Sequence, residues 1–250
     1  MGPERQIAFI QELGEAIAAL TPLEREAIAF IDIGGGYWPE QGEWIQPGGT
    51  PQGLLGKAVG MTPLDMAHDQ ADFPDEKPGD FSNLQSNRSV RSSRRSSYAY
   101  PHYFNQSTPI ETFALELGHA IQENIHNQIA CKICFEPGRW ICNDSMHIIL
   151  KVVDRKYDDL VITDGGTNAI GWERFETDYC PILNISRPAM SERQCLITGS
   201  LCTPHDVWGY SYWGRDIQDG DLLMIPGQGA YTYSLRQNFI KAVPEVIAFP

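Results

Sequence analysis

The spacing of apolar residues constrains the fold of this sequence most strongly, and it differs between the first and the second part of the chain. In the first part, helix-like stripes alternate with short apolar runs. PERQIAFIQELGEAIAAL, with apolar residues at positions 7, 10, 13, 17 and 20, precedes AIAFIDI, and TPIETFALELGHAIQENI precedes IACKICFEPGR. This alternation is typical of a parallel α/β layer whose strands are buried.

Beyond residue 145 the helical period stops and strand-like segments follow one another. These segments are MHIILKVVDRKYDDLVITDGG, YCPILNIS, RQCLITGSLC and DGDLLMIPG. A run of strands without long helices predicts a separate all-β region. We therefore expect an α/β plus all-β protein, with an α/β unit over residues 1–145 and a C-terminal β-domain over residues 146–250.

Residues 38–106 interrupt the α/β unit with a long stretch rich in Gly, Pro, Asp, Gln and Ser. A loop of this length is either functional or disordered. Its segment RSVRSSRRSS favours a solvated loop, with a phosphorylation or polyanion site as the alternative. After it, Thr108 and Glu111 predict a capping box with Pro109 at the first helical position. The helix stripe is Ile110, Phe113, Leu117, Ile121 and Ile125.

Composition excludes several functional classes. The net charge of −13 argues against general binding of nucleic acid or of an anionic membrane surface. No apolar run is long enough to span a bilayer, and MGPERQIAFIQ lacks the features of a secretory signal. The six cysteines are not spaced like a disulfide scaffold, so we expect a cytoplasmic protein.

Two motifs place chemically useful groups at strand ends. DIGGG ends an apolar run with Gly34, Gly35 and Gly36, whose backbone N–H groups can surround a phosphate, although a tight turn is the alternative. EPGR presents Glu136 and Arg139 after the next apolar run, where an ion pair that braces a turn is the alternative.

The β-region contributes two further candidates. GSLCTPHD places Cys202 beside polar turn residues, where an exposed thiol acts as an acid or nucleophile and a buried one as a small hydrophobe. In GAYTYSLRQNF, Gly229 leaves room for close approach to Tyr231. The alternative interpretation of Tyr231 is a core tyrosine whose hydroxyl has a hydrogen-bond partner. Cys131 and Cys134 have no second pair, and His119 and Glu123 have no third ligand, so no metal site is predicted.

The order of these motifs is more specific than any one of them. DIGGG, EPGR, G-x-x-C-x-x-x-D and G-A-Y-x-x-S-x-x-x-N-F together resemble the pyridoxal-phosphate-dependent ornithine and diaminopimelate decarboxylases. The resemblance implies the C-terminal part of a (β/α)8 barrel, followed by a β-barrel or sandwich domain, with active sites formed between two subunits. It also implies pyridoxal 5'-phosphate as the cofactor and an amino acid as the small-molecule substrate.

The resemblance assigns a role to each candidate residue. Glu136 would pair with the ring nitrogen of the cofactor, and Cys202 of a partner subunit would return a proton to the α-carbon. Thr203 and Asp206 would contact the substrate. The residues implied for the cofactor phosphate and its surroundings are Gly34, Gly35, Gly36, Gly138, Arg139 and Tyr231.

Two departures from the family shape the expected function. The lysine that holds the cofactor and the histidine that stacks on it should precede DIGGG, and neither does; Lys57 lies after it. We therefore expect an amino-acid decarboxylase that is complete only when another polypeptide supplies the first, lysine-bearing barrel half. The expected assembly is a homodimer or a complex with such a partner chain. Thr203 stands where the family often has an acidic residue, which favours a conjugated or acylated substrate. The alternatives are a non-catalytic binding or regulatory relative and a truncated product; a racemase fits less well.

Overall fold

The computed structural model describes residues 2–39, 43–45, 62–63, 103–105, 107–170 and 181–249. The helices are α1 (Glu4–Ala19), α2 (Pro22–Glu26), α3 (Ile110–Ile121) and α4 (Gly138–Cys142). The strands before the all-β region are β1 (Phe30–Asp32), β2 (Glu43–Ile45), β3 (Thr62–Pro63), β4 (Tyr103–Asn105) and β5 (Lys132–Cys134). Those of the all-β region are β6 (Ile148–Tyr157), β7 (Leu160–Thr163), β8 (Leu183–Asn184), β9 (Glu192–Thr198), β10 (Val207–Trp213) and β11 (Leu222–Ile225).

The α/β part consists of a parallel strand pair covered by two long helices. Strand β1 pairs with β5 so that Phe30 lies opposite Lys132 and Asp32 opposite Cys134. Both predicted helices are present, and their stripes form one apolar cluster, as expected from the helical period. Its members include Ile10, Ile17, Ile33, Phe113, Leu117, Ile121 and Ile125.

Two local predictions for this part are wrong. The strands are not buried: Phe30 is 61% exposed and Phe135, just past β5, is 47% exposed, because the described sheet holds only two strands. The capping box is also absent. Helix α3 begins at Ile110 after Pro109, whose ψ of 139° is extended, and no side chain caps it. An extended Pro109 cannot be the first helical residue, so the helix starts one position later.

A small antiparallel sheet lies within the stretch that the sequence analysis predicted as a loop. Its strand order is β2-β4-β3, with Trp44 opposite Phe104. These strands pair across large sequence separations, which a local pattern does not indicate. The Arg- and Ser-rich segment at 88–97 lies outside the described residues.

Strands β6 to β11 close into a six-stranded barrel in the order β10-β8-β11-β6-β7-β9. This confirms the all-β part of the predicted fold class and identifies it as a barrel. Inward-facing side chains alternate with outward-facing ones along the strands of a barrel. The inward-facing side chains here form an apolar cluster. Its most deeply buried members include Val152, Val161, Ile197, Ile217 and Leu223.

The sequence analysis missed β10, whose sequence is VWGYSYW. Gly209 lies between Trp208 and Tyr210, and the pairing of β10 with β9 shifts register at that glycine. A Cβ on Gly209 would lie 2.9 Å from the side chain of Ile182. The glycine therefore marks a bulge and a close approach between strands, which reads as a turn in sequence.

The segment after β11 docks on the chain that follows α4. The N–H of Gly229 donates to the carbonyl of Asn143 at 3.0 Å, and that of Gln228 donates to the carbonyl of Met146 at 2.8 Å. A Cβ on Gly229 would overlap the carbonyl oxygen of Cys142. Close backbone packing at this junction therefore requires glycine.

We predict that Gly229→Ala lowers the free energy of unfolding by about 3 kcal/mol, because the backbone must move away from Cys142. The matched control is Gly118→Ala in α3, where a Cβ meets nothing within 4 Å. Since alanine favours helix, that change should stabilise by about 0.5–1 kcal/mol. Urea titrations of both variants check this, and equal midpoints would contradict it.

Candidate functional site

The glycine turn and the EPGR turn face each other at the carboxyl ends of β1 and β5. The N–H of Glu136 donates to the carbonyl of Gly34 at 2.9 Å, which continues the strand pairing into the turns. A Cβ on Gly35 would lie 2.8 Å from the carbonyl oxygen of Glu136, so a side chain there would push the turns apart. Two predicted motifs thus form one surface at the sheet edge where parallel α/β sheets place ligands.

The backbone of the glycine turn is suited to an anion at two of its three amides. Gly34 and Gly36 have φ values of 72° and 91°, which glycine adopts at low cost. The N–H of Gly34 already donates to a carboxylate oxygen of Asp32 at 2.9 Å. Within the described ranges, the N–H groups of Gly35 and Gly36 have no acceptor, so these two amides remain able to bind an anion.

Gln6 of α1 braces this turn, and the sequence analysis missed it. Its side-chain amide nitrogen donates to the carbonyl of Gly35. The available signal was its position four residues before Ile10, on the buried stripe of α1, where a polar side chain needs a partner.

The guanidinium of Arg139 lies between two aromatic rings. Its Cζ atom is 4.7 Å from the ring centroid of Trp38 and 5.5 Å from that of Tyr231. Such cation–π contacts hold a guanidinium in place without neutralising it. The structure therefore keeps a positive charge close to the glycine turn. Trp38 was also missed, although it is the second of two aromatic residues that follow the glycines in the sequence.

Tyr231 reaches the EPGR turn through the docked segment after β11. It is 56% exposed and has a φ of 56°, so it is not a core residue. A Cβ on Gly138 would lie 3.0 Å from the Tyr231 hydroxyl. Glycine at position 138 thus lets the hydroxyl approach the turn that carries Glu136 and Arg139.

Tyr37, the residue after the glycine turn, packs against two further aromatic rings. The ring of Tyr37 packs at 5.3 Å from that of Phe113 and at 6.3 Å from that of Phe135. Burial, with a smaller contribution from the charge of Asp32, raises the pKa of Tyr37 to about 12. The phenol therefore stays neutral around neutral pH and serves as an apolar support.

Cys202, Thr203 and Asp206 lie in the connection between β9 and β10. Cys202 is exposed, which excludes its interpretation as a buried hydrophobe. Asp206 is 3% exposed, and its carboxylate accepts hydrogen bonds from Thr167 and Leu201. No hydrogen bond or ring contact among the described residues joins this connection to the glycine turn.

The structure therefore sorts the predicted site residues into two groups. The first group, assembled around the ends of β1 and β5, is Gly34, Gly35, Gly36, Glu136, Gly138, Arg139 and Tyr231. The second group, on the β9–β10 connection, is Cys202, Thr203 and Asp206. In the part of the chain that the structure describes, no three His, Cys, Asp or Glu residues are arranged to hold a metal ion. No helix there is long and apolar enough to cross a membrane.

Residues 139–229 match the family described as "Pyridoxal-dependent decarboxylase, C-terminal sheet domain". The predicted resemblance is confirmed. The matched segment begins at Arg139 and includes Cys202, Thr203 and Asp206, but the glycine turn, Glu136 and Tyr231 lie outside it. The individual roles of the site residues stay predictions.

Known decarboxylases resemble both the sequence and the fold. A diaminopimelate decarboxylase of Methanothermobacter thermautotrophicus is 26% identical over 110 residues, which are 43% of this chain and 26% of that protein. The structure of diaminopimelate decarboxylase from Helicobacter pylori, complexed with L-lysine, matches with a TM-score of 0.54 and 18% identity, over 95% of this chain and 43% of that one. A lysine/ornithine decarboxylase from Vibrio vulnificus, complexed with putrescine, matches with a TM-score of 0.57 and 15% identity, over 97% and 50%.

These matches establish a shared fold over part of the decarboxylase chain. The chain spans about a quarter of the curated relative and half or less of the two solved structures. The match of residues 139–229 to a C-terminal sheet domain agrees with the six-stranded barrel. Activity, substrate and partners need separate evidence from this chain.

We predict that Cys202 reacts with iodoacetamide at pH 8 while Cys195 does not. Cys202 is exposed, whereas Cys195 is 1% exposed and burial raises its pKa to about 12. Only roughly one Cys195 thiol in 10,000 is then ionised at pH 8, and the thiolate is the reactive form. Mass spectrometry of the labelled peptides checks this. Unfolding in urea should expose both thiols, and equal labelling of the folded chain would contradict the prediction.

Proposed function

We propose that this chain forms the cofactor-phosphate side of a pyridoxal-phosphate-dependent amino-acid decarboxylase, together with its C-terminal β-domain. One observation carries the proposal: three motifs far apart in sequence meet at the carboxyl ends of β1 and β5. The fold alone would bring these segments together, but a protein that had lost the cofactor would have no need to keep the carboxylate of Glu136, the guanidinium of Arg139 and the hydroxyl of Tyr231 there. This also argues against the non-catalytic alternative.

The residues of the first group fit the phosphate of the cofactor. The amides of Gly35 and Gly36 lack acceptors within the described ranges, and Arg139 contacts the ring of Trp38, two residues after Gly36, and the ring of Tyr231. The hydroxyl of Tyr231 approaches the same turn because Gly138 has no side chain. Backbone amides, a guanidinium and a phenol hydroxyl are the donors that a phosphate dianion requires. In this arrangement Gly34 shapes the turn, since its amide is used by Asp32.

Glu136 supplies the complementary charge for the other end of the cofactor. Its backbone is fixed by the hydrogen bond to Gly34, and its side chain is exposed at the strand end. When bound, pyridoxal phosphate supplies an electron sink for the pair of electrons left by departing carbon dioxide. The Glu136 carboxylate would hold a proton on the ring nitrogen and so keep the ring cationic.

Cys202 would deliver the proton that replaces the carboxylate on the α-carbon. It lies on a different element from the first group, and its thiol is exposed. An exposed thiol on the β-domain suits donation into the site of a partner subunit, as the resemblance implies. Thr203 beside it offers a hydroxyl in place of a charge, which favours a conjugated or acylated amino acid over one with a free distal amine.

A second polypeptide segment would complete the site. The α/β part leaves large apolar side chains uncovered near the strand pair, among them Phe30 at 61% and Phe135 at 47% exposure. Exposed strand edges with apolar faces favour pairing with further strands. We propose that these surfaces meet a barrel half that carries the cofactor-binding lysine, supplied by a partner chain of different sequence.

We predict that Arg139→Gln weakens binding of pyridoxal phosphate to the chain by about 10- to 100-fold, because a hydrogen bond to a charged group contributes about 1.5–3 kcal/mol. Pyridoxal, which lacks the phosphate, should bind equally to the variant and the parent chain. Equilibrium dialysis with both ligands measures the difference. Arg215→Gln replaces an exposed arginine of the β-domain and is the matched control. It should change the binding of neither pyridoxal phosphate nor pyridoxal. Equal binding of the two ligands by the parent chain would contradict the proposed phosphate site.

A second prediction concerns the lysine. When the chain is mixed with pyridoxal phosphate and reduced with borohydride, peptide mapping should find no single preferred lysine, because the family's lysine motif is absent from the printed sequence. Carbon dioxide release from diaminopimelate, lysine, ornithine or arginine should then be undetectable without a lysine-bearing partner. One specific lysine trapped in this chain would show that it supplies its own covalent attachment, and would overturn the need for a partner.

A further inference from the structure

The turn that carries Cys202 is closed by one buried carboxylate. Asp206 is the last residue before β10 and is 3% exposed. One of its oxygens accepts the N–H of Leu201 at 2.6 Å. The other accepts the N–H of Thr167 at 2.8 Å and the Thr167 hydroxyl at 3.1 Å. Both oxygens are therefore engaged inside the chain.

The backbone of Asp206 closes the same turn. Its carbonyl accepts the N–H of Gly199 at 2.9 Å, and its N–H donates to the carbonyl of Thr203 at 3.3 Å. The bond from the carboxylate to Leu201 fixes the peptide unit between Ser200 and Leu201, and the bond from Asp206 to Thr203 fixes the backbone on the other side of Cys202. The direction in which the Cys202 side chain leaves the turn thus depends on Asp206.

Two glycines make the space that this arrangement needs. A Cβ on Gly199 would overlap the Asp206 carboxylate, and a Cβ on Gly166 would overlap the side chain of Leu201. The spacing of Gly199, Cys202 and Asp206 in G-x-x-C-x-x-x-D therefore has a physical reason within one chain. Glycine at position 199 leaves space for the Asp206 carboxylate, and this carboxylate fixes the backbone of the turn that carries Cys202.

The partner of Asp206 is itself anchored. Next to Thr167, the Asn168 side chain is 1% exposed and donates to the carbonyls of Gln237 at 3.1 Å and Lys241 at 3.4 Å. The Thr167 loop is therefore held by the C-terminal segment. Asp206 connects the Cys202 turn to that fixed support.

We infer that Asp206 is a positioning residue that orients Cys202 by tying its turn to the Thr167 loop, and that it does not contact the substrate. A substrate contact would require an oxygen of a buried carboxylate that already serves three donors. The inference rests on the proposed function only in naming Cys202 as the proton donor. It replaces the substrate contact that the sequence resemblance implied for Asp206.

The test compares Asp206→Asn with Asp154→Asn in the full 250-residue chain. Asparagine keeps the volume of aspartate, but its NH₂ group meets N–H donors where an oxygen accepted them. Asp154 is exposed on β6, so the same change there is the matched control. The measurements are amide hydrogen exchange by mass spectrometry and the rate of Cys202 alkylation by iodoacetamide.

We expect Asp206→Asn to raise exchange at least tenfold in the peptides that contain Leu201 and Thr167. Alkylation of Cys202 should change at least threefold, while exchange in β6, β7 and β11 stays as in the parent chain. A merely structural role would instead raise exchange throughout the barrel. Asp154→Asn should leave both readouts unchanged.

If Asp206→Asn does not fold, Thr167→Val decides the question, because it removes only the hydroxyl donor. It should raise exchange at the same two loops by about threefold. Parent-like exchange and alkylation in a folded variant would overturn the inference. Loss of protection across the whole barrel would overturn it as well.

The outcome is separable from that of the proposed function. If a Cys202→Ser variant of the active assembly turned over normally, Cys202 would not be the proton donor, yet the local effect of Asp206 on the turn would stand. If Cys202 were required but Asp206→Asn left the turn unchanged, only the positioning role would fail.

Discussion

The parallel pairing of β1 with β5 is the contact on which the candidate site depends. It places Asp32 opposite Cys134, so both strands end at the same edge and deliver their turns side by side. Closing a loop of roughly a hundred residues costs about 4 kcal/mol of chain entropy plus a constant. The apolar cluster of α1 and α3 offsets this cost, since its members include the fully buried Ile10 and Ile125.

Two residues of opposite charge share the EPGR turn. The rings of Trp38 and Tyr231 contact the guanidinium of Arg139 and help to orient it. Glu136 presents a negative charge on the same turn, two residues before Gly138. Under the proposed function, a cofactor with a phosphate at one end and a cationic ring at the other would pair with both charges.

The β-domain contributes to the site in two ways that differ in kind. Through Gly229 and Tyr231 it packs directly on the EPGR region of its own chain. Through Cys202 it presents a reactive group on a separate, internally braced turn. The first contribution completes a surface within the chain, whereas the second lies on a connection that no hydrogen bond or ring contact among the described residues joins to that surface. This division agrees with the proposal of an assembly in which subunits share active sites.

The sequence by itself determined the features that depend on neighbouring residues. The stripes of α1 and α3 and most barrel strands were predicted because the periods of 3.6 and 2 are local. The capping box at Thr108 and Glu111 failed because Pro109 is extended, and β10 was missed because Gly209 mimics a turn.

Only the tertiary structure decided contacts between distant segments. The contacts of Arg139 with Trp38 and Tyr231 and the hydrogen bonds between Asp206 and Thr167 join residues far apart in sequence. The exposure of β1 and β5 likewise depends on which distant segments cover them. The apolar composition of a strand indicates that it can be buried, but it does not show whether another helix or strand covers it. Motif order indicated which residues belong together, and packing determined which of them meet within this chain.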